Sequence, residues 1–214
     1  MAKELATIKP LDSAPVKLTG FSNIDEMKRW ADTIINSGLL PSSITEPEQV
    51  ITIVQHGKEL GLTPHIALNN IHVIAGRPVI SSSMLGAMLK KHGVEWVIAE
   101  DYVTVDAPNG KPDKRTSYKF YWKSNVTGTV IETVFSITWN QMTLAGYTDK
   151  QNWSKYPKEM MRARCLSYAV RALFPEVLLG MYSDVELNDV ARDLGGDEMD
   201  VELTEDGDIT IIHD

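Results

Sequence analysis

An α+β fold is predicted for this 214-residue chain by where its hydrophobic period changes. Three stretches of helical period precede residue 93, and a long amphipathic one follows residue 155. Between Val94 and Ile137 the period drops to two. The expected architecture is a small antiparallel β-meander of about three strands plus a short β-hairpin, packed with about five to six helices. Residues 1–20 are expected to form a flexible N-terminal arm, 21–194 a single α+β domain, and 195–214 an acidic flexible tail.

Along the chain, Ser22 or Asn23 can cap a helix over 24–36, with Asp25 and Glu26 in its first turn and Gly38 beyond its end. Glu46-Pro47 opens a second helix that Gly61 closes near Leu60. The short extended runs 71–74 and 78–80, separated by Ala75-Gly76-Arg77, have hairpin spacing. Ser81 to Ser83 cap a helix ending at Lys90-Lys91-His92, with Gly93 in the terminating position. Three strands follow, separated by turns at 107–112 and 124–125. In the middle one Tyr118, Phe120 and Trp122 alternate with Lys119, Tyr121 and Lys123, giving an aromatic face and a cationic face. Thr138 caps a helix to about Leu144, and 146–155 reads as a loop containing Trp153.

The helix from Pro157 ends at Phe174, where Pro175 stops it. At about 100° per residue, Ala163, Leu166, Val170, Leu173 and Phe174 share an apolar arc. Arg164, Tyr168 and Arg171 form a separate stripe, and Lys158 and Arg162 lie on the far side. A last helix is expected from Asp184 to near Leu194, with Gly195-Gly196 beginning the tail.

The net charge of −8 is unevenly spread. Residues 1–183 hold 20 Lys/Arg against 17 Asp/Glu, whereas 184–214 hold one Arg and 12 Asp/Glu. Between Lys111 and Arg171 there are 11 cations and four acids. A basic body with an acidic tail describes the chain better than its overall charge does. Cys165 is the only cysteine, which excludes an internal disulfide framework and agrees with a reducing, cytoplasmic setting. No apolar run approaches the roughly 20 residues of a membrane helix, and the N-terminus lacks an apolar signal core.

Motifs for nucleotide hydrolysis are missing: His56-Gly57-Lys58-Glu59 has neither the upstream glycine nor the hydroxyl of a phosphate-binding loop. His56, His65, His72, His92 and His213 lack zinc spacing. Glu100, Asp101 and Asp106 are the acids a nuclease would use, with solvated edge charges as the competing reading. No catalytic residue, metal site or cofactor is assigned. The candidate phosphate contacts are Lys158, Arg162, Arg164 and Arg171, followed by Lys90, Lys91, Lys123 and Lys155. A salt bridge with Glu176 or Asp184 is the alternative for Arg171, and dipole compensation at a helix end the alternative for Lys90 and Lys91. Trp153, Tyr156 and Tyr168 are candidates for base stacking or subunit contact.

Two blocks resemble the RecT family of phage-type single-strand annealing proteins. The first runs Gly57-Lys58-Glu59-Leu60-Gly61-Leu62-Thr63-Pro64, then the 71–80 hairpin and the helix to Gly93. The second is Tyr156-Pro157-Lys158-Glu159-Met160-Met161-Arg162, then Arg164, Arg171, Phe174-Pro175 and Gly180-Met181-Tyr182. The Red-beta proteins carry a similar late signature. The resemblance covers residues 24–190. It implies binding of single-stranded DNA, assembly into rings or helical filaments, and ATP-independent pairing of complementary strands in homologous recombination. It also implies a phage or prophage origin in a bacterial host. A phage exonuclease and the host single-strand-binding protein are the partners it suggests. Family members commonly continue into a separate C-terminal recruiting module, where this chain has only the Asp184 segment and an acidic tail.

Overall fold

The computed structural model describes residues 23–41, 44–74, 77–108, 110–186, 200–203 and 209–212. Helices α1 (Ile24–Asn36) and α2 (Pro47–Glu59) open the described chain. Asn23 caps α1 by accepting a hydrogen bond from the Glu26 amide, and Gln49 completes a reciprocal capping box with Glu46 on α2. A short α3 (Pro64–Asn70) leads into the hairpin of β1 (Ile71–Ile74) and β2 (Arg77–Ile80). Helix α4 (Ser82–Lys91) then feeds an antiparallel meander of β3 (Glu95–Asp106), β4 (Pro112–Lys123) and β5 (Val130–Thr138). After it come α5 (Trp139–Leu144), α6 (Gln151–Lys155), α7 (Pro157–Leu173) and α8 (Pro175–Leu178). The α+β class, the hairpin and the three-stranded meander are as the sequence predicts.

Central to the fold is α7, which packs against α4 and against the sheet of β3, β4 and β5. Tyr118 and Phe120 point from β4 into the core, while Lys119 on the opposite face pairs with Glu132 of β5. The aromatic and cationic faces therefore separate as the alternation requires. Met160, Met161, Cys165, Ser167 and Ala169 of α7 are buried along with Leu166 and Val170. The buried face thus departs from the predicted arc: Ala163 and Leu173 are only partly buried, while Met160, Met161 and Cys165 also face the core. Burial pushes the Cys165 thiol up to about 12, so it is a core residue and not a nucleophile.

Several local features depart from the sequence reading. Helices α3 and α6 occupy segments without a predicted helix; α3 starts on Thr63-Pro64, a helix-start pair too short-lived to show a period. Pro175 ends α7 and also begins α8, since proline suits a first helical turn. A two-residue strand β6 (Tyr182–Ser183) runs parallel to β2, pairing Val79 with Tyr182 and Ile80 with Ser183. In place of the start of a last helix, Asp184–Glu186 makes one 3-10 turn. The remainder of that expected helix, and the N-terminal arm, lie outside the described residues. The acidic tail contains a two-stranded antiparallel sheet, β7 (Asp200–Leu203) with β8 (Ile209–Ile212). Alternating Val201, Leu203, Ile209 and Ile211 carry that strand signal within an acidic composition.

Candidate nucleic-acid interface

A cleft of about 410 Å³ lies between α4, the start of the meander, α6 and α7. One wall is Trp96 and Tyr118, whose rings meet edge to face at 5.6 Å. Trp96 fits there because Gly86 has no side chain: a Cβ would sit 2.6 Å from the indole ring. The indole N–H donates to the Gly86 carbonyl at 3.1 Å, fixing the ring against α4. Tyr147 also lines the cleft, stacked on Trp153 at 6.0 Å and 16°.

The cations of α7 divide by environment. Arg164 is only 2% exposed, with its guanidinium 4.0 Å from the Tyr147 ring centre and 5.3 Å from that of Tyr168. The two phenol oxygens are 3.2 Å apart, closing the clamp. Arg164 therefore belongs to the inner lining of the cleft, not to an exposed stripe, which corrects its expected surface role. Arg162 also lines the cleft and makes a bidentate pair with Asp101, joined by Lys158 at 2.8 Å. Hydrogen bonding from Arg162, then from Lys158, outweighs the effect of burial and lowers the Asp101 carboxyl to about 2. A β-bulge in β3 directs this carboxylate: the register with β4 shifts between Glu100 and Val103, and Tyr102 takes φ +56°.

Other predicted contacts have structural work. Arg171 grips Glu186 through Nε and Nη2 at 2.7 and 2.9 Å, so its expected salt bridge exists, with Glu186 in place of Glu176 or Asp184. Burial alone would raise the Glu186 carboxyl, but bonds from Arg171 and Ser183 outweigh it and hold it below its ordinary value. Lys91 donates to the carbonyls of Leu60 and Gly61, satisfying the C-terminus of α2; burial lowers its pKa. This corrects its assignment as a phosphate contact. Lys90 is exposed, with Nζ 5.9 Å from the centre of the Trp96 ring. Lys155 is exposed on α6 and Lys123 is exposed at the end of β4, and neither lines the cleft.

Of the three candidate stacking residues, Trp153 is 2% exposed and packs against Trp139 and Tyr147, so it cannot meet a base on the surface. Tyr168 is half-buried on Arg164, and Tyr156 is 47% exposed. Sequence reasoning missed Trp96, Tyr147, Lys150 and Asn152, all lining the cleft. Trp96 had a legible signal in its strand alternation; Tyr147 and Asn152 sat in a segment read as loop. Glu100 is held by Arg115 and Ser117, and Asp101 by α7. No cluster of three or more His, Cys, Asp or Glu suited to a metal occurs among the described residues. No helix among them is long and apolar enough to cross a membrane. No family model matches this chain, and neither a curated protein nor a solved structure does.

Proposed function

We propose that the chain is an ATP-independent single-strand annealing protein of the RecT type, acting as an oligomer on single-stranded DNA in homologous recombination. The observation that carries this reading is the meeting of the two resembling blocks. The 71–80 hairpin of the first pairs with Tyr182 of the second through β2 and β6, and α4 of the first packs on α7 of the second. Arg162 and Arg164 of the second block line a cleft that Gly86 of the first block also lines, with Trp96 packed on it. Sequence-independent phosphate contact suits a protein that must leave base edges readable by a second strand. The body is only mildly basic, so affinity arises from many subunits along one strand. The cytoplasm of a phage-infected or lysogenic bacterium is the setting this role requires, with a phage exonuclease and the host single-strand-binding protein as partners.

Nuclease action draws no support from the pairing of Glu100 and Asp101 with separate cations. A passive coat protein remains the rival. Titration of labelled single-stranded DNA across a salt series tests the binding step: affinity should fall log-linearly with salt, and particles should grow in sedimentation when DNA is added. Salt-independent affinity, or no binding at low salt, contradicts the reading.

A further inference from the structure

In the order β3-β4-β5 each outer strand has one edge that meets no strand among the described residues. The two edges differ. On β3 the register with β4 slips between Ile98 and Glu100 and again between Glu100 and Val103, and Tyr102 takes a positive φ. Such bulges twist an edge out of line for pairing. Strand β5 has no such guard: its register with β4 runs unbroken from Thr138 opposite Arg115 to Val130 opposite Lys123. It contains no proline, glycine or lysine, and its one charge, Glu132, pairs with Lys119 of its own sheet. Val130, Val134 and Ile131 are 63%, 56% and 37% exposed. An edge that is regular, apolar and long enough for seven residues is a template for another strand. Pairing stops at Ser136, because Ile137 is buried and Thr138 caps α5.

We infer that β5 pairs antiparallel with β5 of a second copy of this chain, about a two-fold axis through Thr133. The occupant follows from the strand being complementary to itself. In this register Ile131 of each copy stands opposite Phe135 of the other, an aromatic–β-branched pair of the kind that stabilises sheets. Thr133 meets Thr133, Val130 meets Ser136, and Glu132 meets Val134, so no acid opposes an acid. The product is one six-stranded sheet shared by two chains. A contact of this symmetry closes on itself, so it makes pairs and leaves growth along DNA to other surfaces. Seven residues a side bury less than about 1,200 Å², the range of weak, concentration-dependent association. This supplies one contact of the oligomer in the proposed function and rests on that reading only for its role, since the pairing needs no DNA.

The test is sedimentation of the full chain without DNA over a concentration series, where the parent should reach paired chains. Thr133→Lys and Thr133→Glu each set like charges directly opposite at the axis, and each should halve the particle mass while melting like the parent. Mixing the two variants should restore pairs. A parent that stays single, pairing that survives in both variants, or a mixture that stays single overturns the inference. Should the charged variants fold poorly, cysteines decide it. Directly opposite Cα atoms lie about 4.5–5.5 Å apart, within disulfide reach. Thr133→Cys should therefore cross-link to its own copy under mild oxidation, and Glu132→Cys should not. Cys165 is buried and does not compete. Equal cross-linking of both, or none at Thr133→Cys, contradicts the register. Pairing that persists in a protein unable to bind single-stranded DNA would strike the proposed function and leave this contact standing.

Discussion

Asp101 is the residue on which Lys158 and Arg162 of α7 converge, and its ionisation sets their environment. Its folded-state pKa lies below its ordinary value of 3.8, at about 2. A depressed carboxylate contributes stability that is complete above its unfolded pKa and is lost as pH falls through the folded one. Its side chain is 30% exposed, so after solvent screening the contribution is about 1 kcal/mol. Urea denaturation should show Asp101→Asn less stable than the parent by a constant margin above about pH 5, closing towards pH 2. A margin independent of pH would remove the ion pair as its source. The same substitution frees Arg162 and Lys158 from their internal anion, so single-stranded DNA should bind more tightly at low salt. Arg171 behaves differently, because its partner Glu186 is 4% exposed. Arg171→Ala strands a buried carboxylate and should cost about 2–3 kcal/mol, read as a lower Tm. Any loss of DNA binding in that variant reports damage to the fold, whereas Arg162→Ala should flatten the salt dependence with the fold intact.

Gly57 shows how element packing decides the sign of a substitution. In an isolated helix Ala would be favoured over Gly by about 1 kcal/mol. Here a Cβ at Gly57 would stand 2.3 Å from the Cβ of Ala67, where α2 and α3 pack together. Gly57→Ala should therefore destabilise by about 1–3 kcal/mol in chemical denaturation. A more stable variant would mean that the two helices separate at little cost. Elements that advertise themselves locally were legible: caps at Asn23 and Thr138, and the alternation of β4. Helices α3, α6 and α8 were not, because they span too few turns to display a period and have no side-chain cap to mark their start. Strand β6 was hidden because its partner β2 lies about a hundred residues earlier and only two pairs form. The candidate site was legible as a supply of cations but not as an arrangement. Asp101 meets Arg162 across 61 positions, and Arg164 turns inward because Tyr147, from a segment read as loop, covers it.

Over the whole molecule the charge is polarised, and this bears on how DNA competes for the body. Residues after Leu194 carry eight acids and no cation, so a chain ending there has a net charge of 0 in place of −8. A tethered acidic segment acts at an effective concentration in the millimolar range. Removing it should tighten single-strand binding at low salt, and the gain should shrink as salt screens the tail. Equal affinities of the full and shortened chains throughout a salt series would assign the tail no part in binding. Beyond binding, the proposed activity of this protein is the pairing of strands. Its most direct test follows energy transfer between two labelled complementary oligonucleotides mixed at low salt without nucleotide. Duplex should form faster with the protein than spontaneously, and Arg162→Ala should lose much of that acceleration. Strands that bind the protein yet pair no faster than they do alone would contradict annealing and leave only a coat.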